Sequence, residues 1–231
     1  DYFVTAPASL MTFGEEEIAE YVKPLLGEGG LYRWEPEGYQ DCVENIAYHE
    51  YSLKLEEDER MRELLEKELQ RNKEKLEGWK DEAEKVEVPL RMTSYDKMGW
   101  GVYYDYLFGL TDWEGKTMYL QAAKYGFGLY TWPFEGAHSC MLSEEDARAA
   151  AEECVEKMGL SGELVLDGVK KPTMSYAEGY VDDDAFYEFY YTRPVCGVPV
   201  GRQGAGQGGK GLEICVDDNG VSQITYSDYI L

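Results

Sequence analysis

The sequence predicts an α+β fold of antiparallel sheets with one long N-terminal helix and a C-terminal helix packed on a sheet. Three stretches carry that expectation. Residues 41–86 hold no proline and a single glycine, Gly78. Residues 95–132 are dense in tyrosine, phenylalanine and tryptophan, broken by turn-forming pairs, which is the composition of strands. From Ser143 onward, a helix with a readable start, face and stop leads into tyrosine-rich strands and a terminal hairpin.

Taken in chain order, Thr12 with Glu15 marks the start of a short helix running to Leu26 and ended by Gly27, Gly29 and Gly30. Pro24 should shorten or kink its last turn. The long helix follows; unbroken over residues 41–86 it would span on the order of 65 Å, with residues 56–59 as the place where a break is foreseen. Leu65, Leu69, Asn72, Leu76, Trp79, Ala83 and Val86 alternate steps of four and three, a coiled-coil-like seam with one polar position. Such a seam suits a helix lying on its own domain, or a helix hairpin or dimer.

Residues 95–132 read as a meander of antiparallel strands with turns at residues 112–115 and 125–128. In the last third, Ser143 is a helix N-cap with Asp146 at the third helical position, and acids fill the first turn. Ala147, Ala150, Ala151, Cys154, Val155 and Met158 form one apolar stripe. Gly159 ends the helix, and Leu160 folds back on its last turn. Strands are expected at residues 163–169, 185–200 and 212–216, the last joined to a partner from Val221 by an Asn219-Gly220 turn. Phe186, Tyr187, Phe189, Tyr190 and Tyr191 are too apolar for a strand wetted on one face, so a cover over them is expected. Pro194 and Pro199 belong at strand ends or bulges. The expected division is a helical and antiparallel-β portion, residues 1–136, and a helix-on-sheet domain, residues 142–231, coupled through the tyrosine-rich strand.

Composition excludes several functions. A formal net charge of −24 over 231 residues repels phosphate backbones and anionic lipid surfaces, so no nucleic acid partner is expected. No twenty-residue apolar run is present, so no membrane-spanning segment is expected. The start at Asp1 reads as a trimmed mature ectodomain, with a cytoplasmic protein as the alternative. Cys42, Cys140, Cys154, Cys196 and Cys215 are odd in number and lack C-x-x-C spacing, which excludes a zinc signature. Cys154 sits on the helix stripe as a small core residue, and Cys196 and Cys215 could pair across strands.

The chemical motifs are incomplete. Residues 204–210 match G-x-x-x-x-G-K, but Gly211 stands where Ser or Thr should bind magnesium, and a strand follows instead of a helix. The acid clusters at residues 182–184 and 217–218 lack a calcium-loop spacing. His138 and Cys140 are only two residues apart and have no orienting third group. His49, between Tyr48 and Tyr51, reads as a packed or surface histidine. No catalytic residue, metal site or cofactor is therefore expected. The residues that suggest a ligand or partner surface are Trp113, Tyr130, Trp132, Phe134 and Glu135, since aromatic faces stack on sugars and grip peptides; the same residue types also fill sheet cores.

The segments SEEDARAAAEECVEKMGLSGEL, YEFYYTRPVCGVPV and GLEICVDDNGVSQITY resemble a group of Gram-positive lipoproteins built on a domain of unknown function. Their layout over residues 143–226 is also similar to PepSY-type and YycH/YycI-type extracytoplasmic domains. The resemblance implies an exported, lipid-anchored, non-enzymatic domain with a protein partner at the cell envelope, and it carries over no catalytic residues. The expected function is thus a non-catalytic extracytoplasmic lipoprotein domain acting through protein contacts. The alternative is a glycan- or peptide-binding module using the aromatic surface.

Overall fold

The computed structural model describes residues 9–10, 13–36, 38–96, 103–133, 140–171, 174–176, 180–182, 186–195, 198–199, 211–227 and 229–230. Phe134, Glu135, His138, Cys196 and residues 204–210 lie outside them. The helices are α1 (Glu15–Val22), α2 (Tyr39–Leu55), α3 (Glu59–Trp79) and α4 (Glu144–Lys157). The main sheet is built from β1 (Tyr32–Glu35), β2 (Glu84–Glu87), β3 (Thr93–Asp96), β4 (Tyr103–Trp113), β5 (Lys116–Ala123), β6 (Gly126–Thr131), β7 (Val165–Lys170), β8 (Tyr187–Thr192), β9 (Gly211–Asp217) and β10 (Gly220–Ser227). The fold is α+β.

These ten strands form one sheet in the order β2-β1-β4-β5-β6-β10-β9-β8-β7, with β3 beside the first half of β4. Every pairing is antiparallel. The β4–β5 turn places Glu114 and Gly115 at positive φ, as a two-residue hairpin matched to strand twist requires. In the β9–β10 turn the central pair is Asp218-Asn219, and Gly220, at φ 90°, takes the left-handed position opposite Asp217. The turn expected at Asn219-Gly220 is thus shifted by one residue.

One face of the sheet carries the main core. Leu107, Met118, Leu120, Leu129, Phe189, Leu212, Ile214 and Ile224 meet Ile18, Val22 and Leu25 from the α1 end and Ala147, Ala151, Cys154 and Val155 from α4. The α4 reading holds in detail: Asp146 N–H donates to Ser143 Oγ at 3.1 Å, and Leu160 N–H reaches Val155 O at 3.1 Å past Gly159. That helix supplies the cover expected over the tyrosine-rich strand. α1 begins after Gly14, whose N–H donates to Glu17 at 2.7 Å, and it gives way at Pro24 to a 3-10 turn, Lys23–Leu25.

The single long helix is replaced by two. Asp58 accepts the Met61 N–H at 2.9 Å and caps a new helix, while Arg62 Nη1 donates to Leu53 O at 2.9 Å and Glu56 O at 3.0 Å, closing the end of the previous one. The chain therefore folds back on itself at the foreseen break. Leu65, Leu69, Asn72, Leu76 and Trp79 are the covered positions of α3, so the seam serves a helix hairpin. Helix ends at Trp79, and Val86 lies in the edge strand β2.

Across the boundary expected between residues 136 and 142, sheet and core are continuous. β6 pairs with β10 through Gln223–Tyr130, Ile224–Leu129, Thr225–Gly128 and Tyr226–Phe127. The ring of Tyr226 is surrounded by Phe13, Tyr21 and Phe127, with centroids 5.8, 5.3 and 5.8 Å away. The strand pairing that joins the two halves is this one; β8 pairs only with β9 and β7, both from the C-terminal part, while its Phe189 and Tyr191 share the core with residues of the first half.

Gly126, at φ 147°, has no room for a Cβ, which would overlap the Tyr226 carbonyl. Gly126→Ala should lower the unfolding free energy by about 2–4 kcal/mol, seen as a lower urea midpoint at unchanged slope. Gly168→Ala, where a Cβ meets nothing within 4 Å, should stay within about 1 kcal/mol of the parent. Equal effects at the two sites would show that the β6–β10 contact does not carry this strain.

Candidate functional site

The residues expected to form an aromatic surface are distributed over both faces of the sheet. Trp113 is 5% exposed within the α1–α4 core, with the Lys157 ammonium 5.7 Å from its ring. Trp132 is 9% exposed on the other face, in a small cluster with Tyr32 and Leu110 that Val43 of α2 closes. Its Nε1–H donates to Glu44 Oε1 at 2.6 Å, so it fastens the helix hairpin to the sheet. Neither indole is open to a ligand, and the two cannot line one pocket. Tyr130 is half-buried on the Trp132 side, its ring lying over Gly128, where a Cβ would overlap it. Burial raises its phenol pKa, and Glu213 and then Cys215 add to that. Phe134 and Glu135 lie outside the described residues.

Distant residues meet in a polar cluster at the β1–β2 end of the sheet. Asp112 Oδ1 accepts from Tyr32 Oη at 2.7 Å and Thr117 Oγ1 at 3.1 Å, and Asp112 Oδ2 accepts from Lys85 Nζ at 2.6 Å. The Lys85 ammonium also stands 4.0 Å from the Tyr32 ring centroid. Desolvation works against the Asp112 carboxylate, but the hydrogen bonds from Lys85, Tyr32 and Thr117 prevail and hold its pKa below the ordinary value. Lys85 likewise pays a desolvation penalty that its bonds to Asp112 and Tyr32 outweigh, raising its pKa. Both groups stay charged near neutrality, so the cluster pins the edge strand β2 and holds no proton ready to transfer.

The other candidates among the described residues hold structural positions, while Asp183 and Asp184 lie outside those residues. Asp218 Oδ1 accepts from the Met141 N–H at 2.6 Å and the Leu142 N–H at 3.2 Å, and Asp217 Oδ1 accepts from the Asn219 N–H at 2.7 Å. Asp218 thus anchors the chain just before α4, and Asp217 braces its own turn. Cys140, Cys154 and Cys215 are buried free thiols, so the cross-strand pairing of Cys215 is not formed. Burial raises all three thiol pKa values, that of Cys154 to about 12, which disfavours the thiolate form. His49 packs edge-on against Tyr48 at 5.6 Å, and its Nδ1 is shut off without a partner. Among the described residues, no group of three or more His, Cys, Asp or Glu is placed to hold a metal ion, and no helix is long and apolar enough to cross a membrane.

Two surface features lie on the hairpin. An open groove of about 360 Å³ runs along α3 between Glu63, Glu66, Lys67, Gln70, Arg71 and Glu74, all from one helix. Beside it, Tyr48, Leu55, Met61 and Leu64 are 56%, 54%, 46% and 56% exposed. Tyr48 and Leu55, seven residues apart, share a side of α2 turned away from both Val43 and the α3 seam; Met61 and Leu64, three apart, share a flank of α3. By helical spacing both pairs lie off the flank that the Lys73–Glu50 ion pair spans. Neither the Asp112 cluster nor this patch was marked in the sequence. Tyr32, Lys85 and Asp112 are too far apart in the chain to signal one another, whereas Leu55, Met61 and Leu64 stood beside the seam as apolar residues outside its register. No family model, curated protein or solved structure matches the chain.

Two measurements check this description. Iodoacetamide at pH 8 should leave Cys42, Cys140, Cys154 and Cys215 unmodified in the folded protein and label them in urea; labelling of Cys140 at a free-thiol rate would contradict its placement. Because the folded-state pKa of Asp112 is depressed, its contribution is present above the ordinary carboxylate pKa and is lost as pH falls through the folded value. Asp112→Asn should therefore cost up to about 1 kcal/mol at pH 7, the ceiling for a half-exposed pair, and the difference from the parent should shrink as pH falls below the ordinary carboxylate range.

Proposed function

We propose that this chain is a non-catalytic extracytoplasmic module of a cell-surface lipoprotein that acts through protein contacts at the cell envelope, and that its contact element is the α2–α3 hairpin. The observation that carries this reading is the apolar flank of Tyr48, Leu55, Met61 and Leu64 on an element that stands on the sheet through little more than the Trp132 cluster. Half-exposed aliphatic side chains gathered on one flank are a mark of protein contact surfaces. The buried, protonated thiols and the charge-locked Asp112 cluster support a role without catalysis, and the reading needs no cofactor. Export and an N-terminal lipid anchor rest on the sequence resemblance over residues 143–226, and the net charge of −24 argues against nucleic acid as the partner.

A second reading, a glycan- or peptide-binding module, is favoured by the Tyr130 ring laid along β6 over Gly128, beside the exposed Gln121 on the neighbouring strand. An aromatic face with an amide next to it is the chemistry of sugar stacking.

Site-specific photo-crosslinking in cells separates the two. A crosslinker in place of Leu64 should give a discrete protein adduct, and one in place of the exposed Asp167 on β7 should not. Absence of any adduct at Leu64, together with saccharide or peptide binding abolished by Tyr130→Ala, would overturn the protein-contact reading in favour of the second.

A further inference from the structure

The chain's asparagines are Asn45, Asn72 and Asn219, and only Asn219 is followed by glycine. The pair closes the β9–β10 turn, with Asn219 exposed and Gly220 at φ 90°. Asparagine is a thermolabile side chain. The next residue's backbone nitrogen lies within reach of its side-chain carbonyl carbon, and attack within one chain needs no encounter. A side chain on that next residue hinders the attack, and glycine has none. The other two asparagines lack these conditions. Asn45 is exposed but sits inside α2 ahead of β-branched Ile46, and Asn72 is buried in the α2–α3 seam with its amide donating to Glu68 O at 3.0 Å.

The fold adds a cation beside the turn. Lys116 Nζ donates to Val221 O at 3.1 Å and stands 3.5 Å from the place a Gly220 Cβ would take, so an ammonium lies next to the Gly220 backbone. Burial lowers the Lys116 pKa, against Asp217 and then Glu114, which raise it. The acids of the turn hold backbone donors: Asp217 Oδ1 accepts the Asn219 N–H at 2.7 Å, and Asp218 Oδ1 accepts the Met141 and Leu142 N–H groups at 2.6 and 3.2 Å. A fixed cation beside an amide nitrogen that must give up its proton favours the anion that forms.

We propose that Asn219 is a site of spontaneous deamidation promoted by Lys116, and that the isoaspartyl product loosens the turn's hold on the segment before α4. Solvent hydroxide takes the Gly220 N–H proton, and the nitrogen attacks Asn219 Cγ. A C–N bond forms there, and the Cγ–Nδ2 bond breaks as the side-chain nitrogen takes up a proton and leaves as ammonia. Water then opens the succinimide at either carbonyl, giving aspartate or isoaspartate, with nothing oxidised or reduced. Isoaspartate lengthens the main chain by one methylene at a tight turn whose geometry is matched to its strands. Asp218, which holds the Met141 and Leu142 N–H groups, is the residue next to that change.

Peptide mapping by mass spectrometry on the whole folded chain, aged at about pH 8 and about 37 °C, tests this. The expected result is conversion of Asn219 to aspartyl and isoaspartyl forms while Asn45 and Asn72 stay intact. Lys116→Met, which keeps the stem and removes the charge, should slow the conversion by at least about threefold, and Lys116→Arg should keep the parental rate. In urea, where the two residues are no longer held together, parent and Lys116→Met should convert equally fast. Hydrogen exchange at the Met141 and Leu142 amides should quicken in the isoaspartyl fraction and stay parental in Asn219→Asp, which carries the new charge without the added methylene. An Asn219 that survives ageing as well as Asn45 overturns the site. Equal rates in the folded parent and Lys116→Met overturn the part given to Lys116, and unchanged exchange in the isoaspartyl fraction overturns the effect on the segment before α4.

Discussion

The junction between β6 and β10 is the constraint on which the rest of the architecture depends. It joins the meander of the first half to the hairpin of the second, and it sets Gly126 so tightly under Tyr226 that no side chain fits there. Tyr226 in turn is the ring around which Phe13, Tyr21 and Phe127 gather, so α1 is seated in part on the chain's last long strand. These contacts join the meander and the terminal hairpin in one sheet.

The two faces of the sheet are finished to different degrees. On one, α1 and α4 enclose a continuous aliphatic and aromatic core. On the other, the α2–α3 hairpin is seated through Tyr32, Leu110, Trp132 and Val43, with the Trp132–Glu44 hydrogen bond at its margin. The Asp112 cluster secures the edge strand next to that seat. A buried tryptophan that looked like a ligand platform in the sequence is thus the bolt of a protruding element, and the functional interest moves from the aromatic residues of the sheet to the aliphatic ones on the arm they hold.

The arm follows from the same economy. An amphipathic helix pair buries what its two inner faces can reach and leaves its flanks to solvent or to another surface. Here one flank is spanned by the Lys73–Glu50 ion pair and other positions expose Tyr48, Leu55, Met61 and Leu64, while the described thiols of the body are buried. The described thiols lie in buried positions, and the exposed apolar side chains lie on the arm.

The sequence by itself determined the local elements wherever a short-range signal was complete. Ser143, Asp146 and Gly159 marked both ends of α4, its alanine stripe named the buried face, and the seam from Leu65 to Trp79 named the covered side of α3, because caps and helical periodicity act within a few residues. Tertiary structure decided everything that needed partners from afar. The helix broke at residues 56–58 because Arg62 could satisfy two carbonyls and Asp58 could cap a new start. Residues 84–87 became a strand because β1 offered an edge. Trp113 and Trp132 parted to opposite faces because strand alternation, and not aromatic character, fixes where a side chain points.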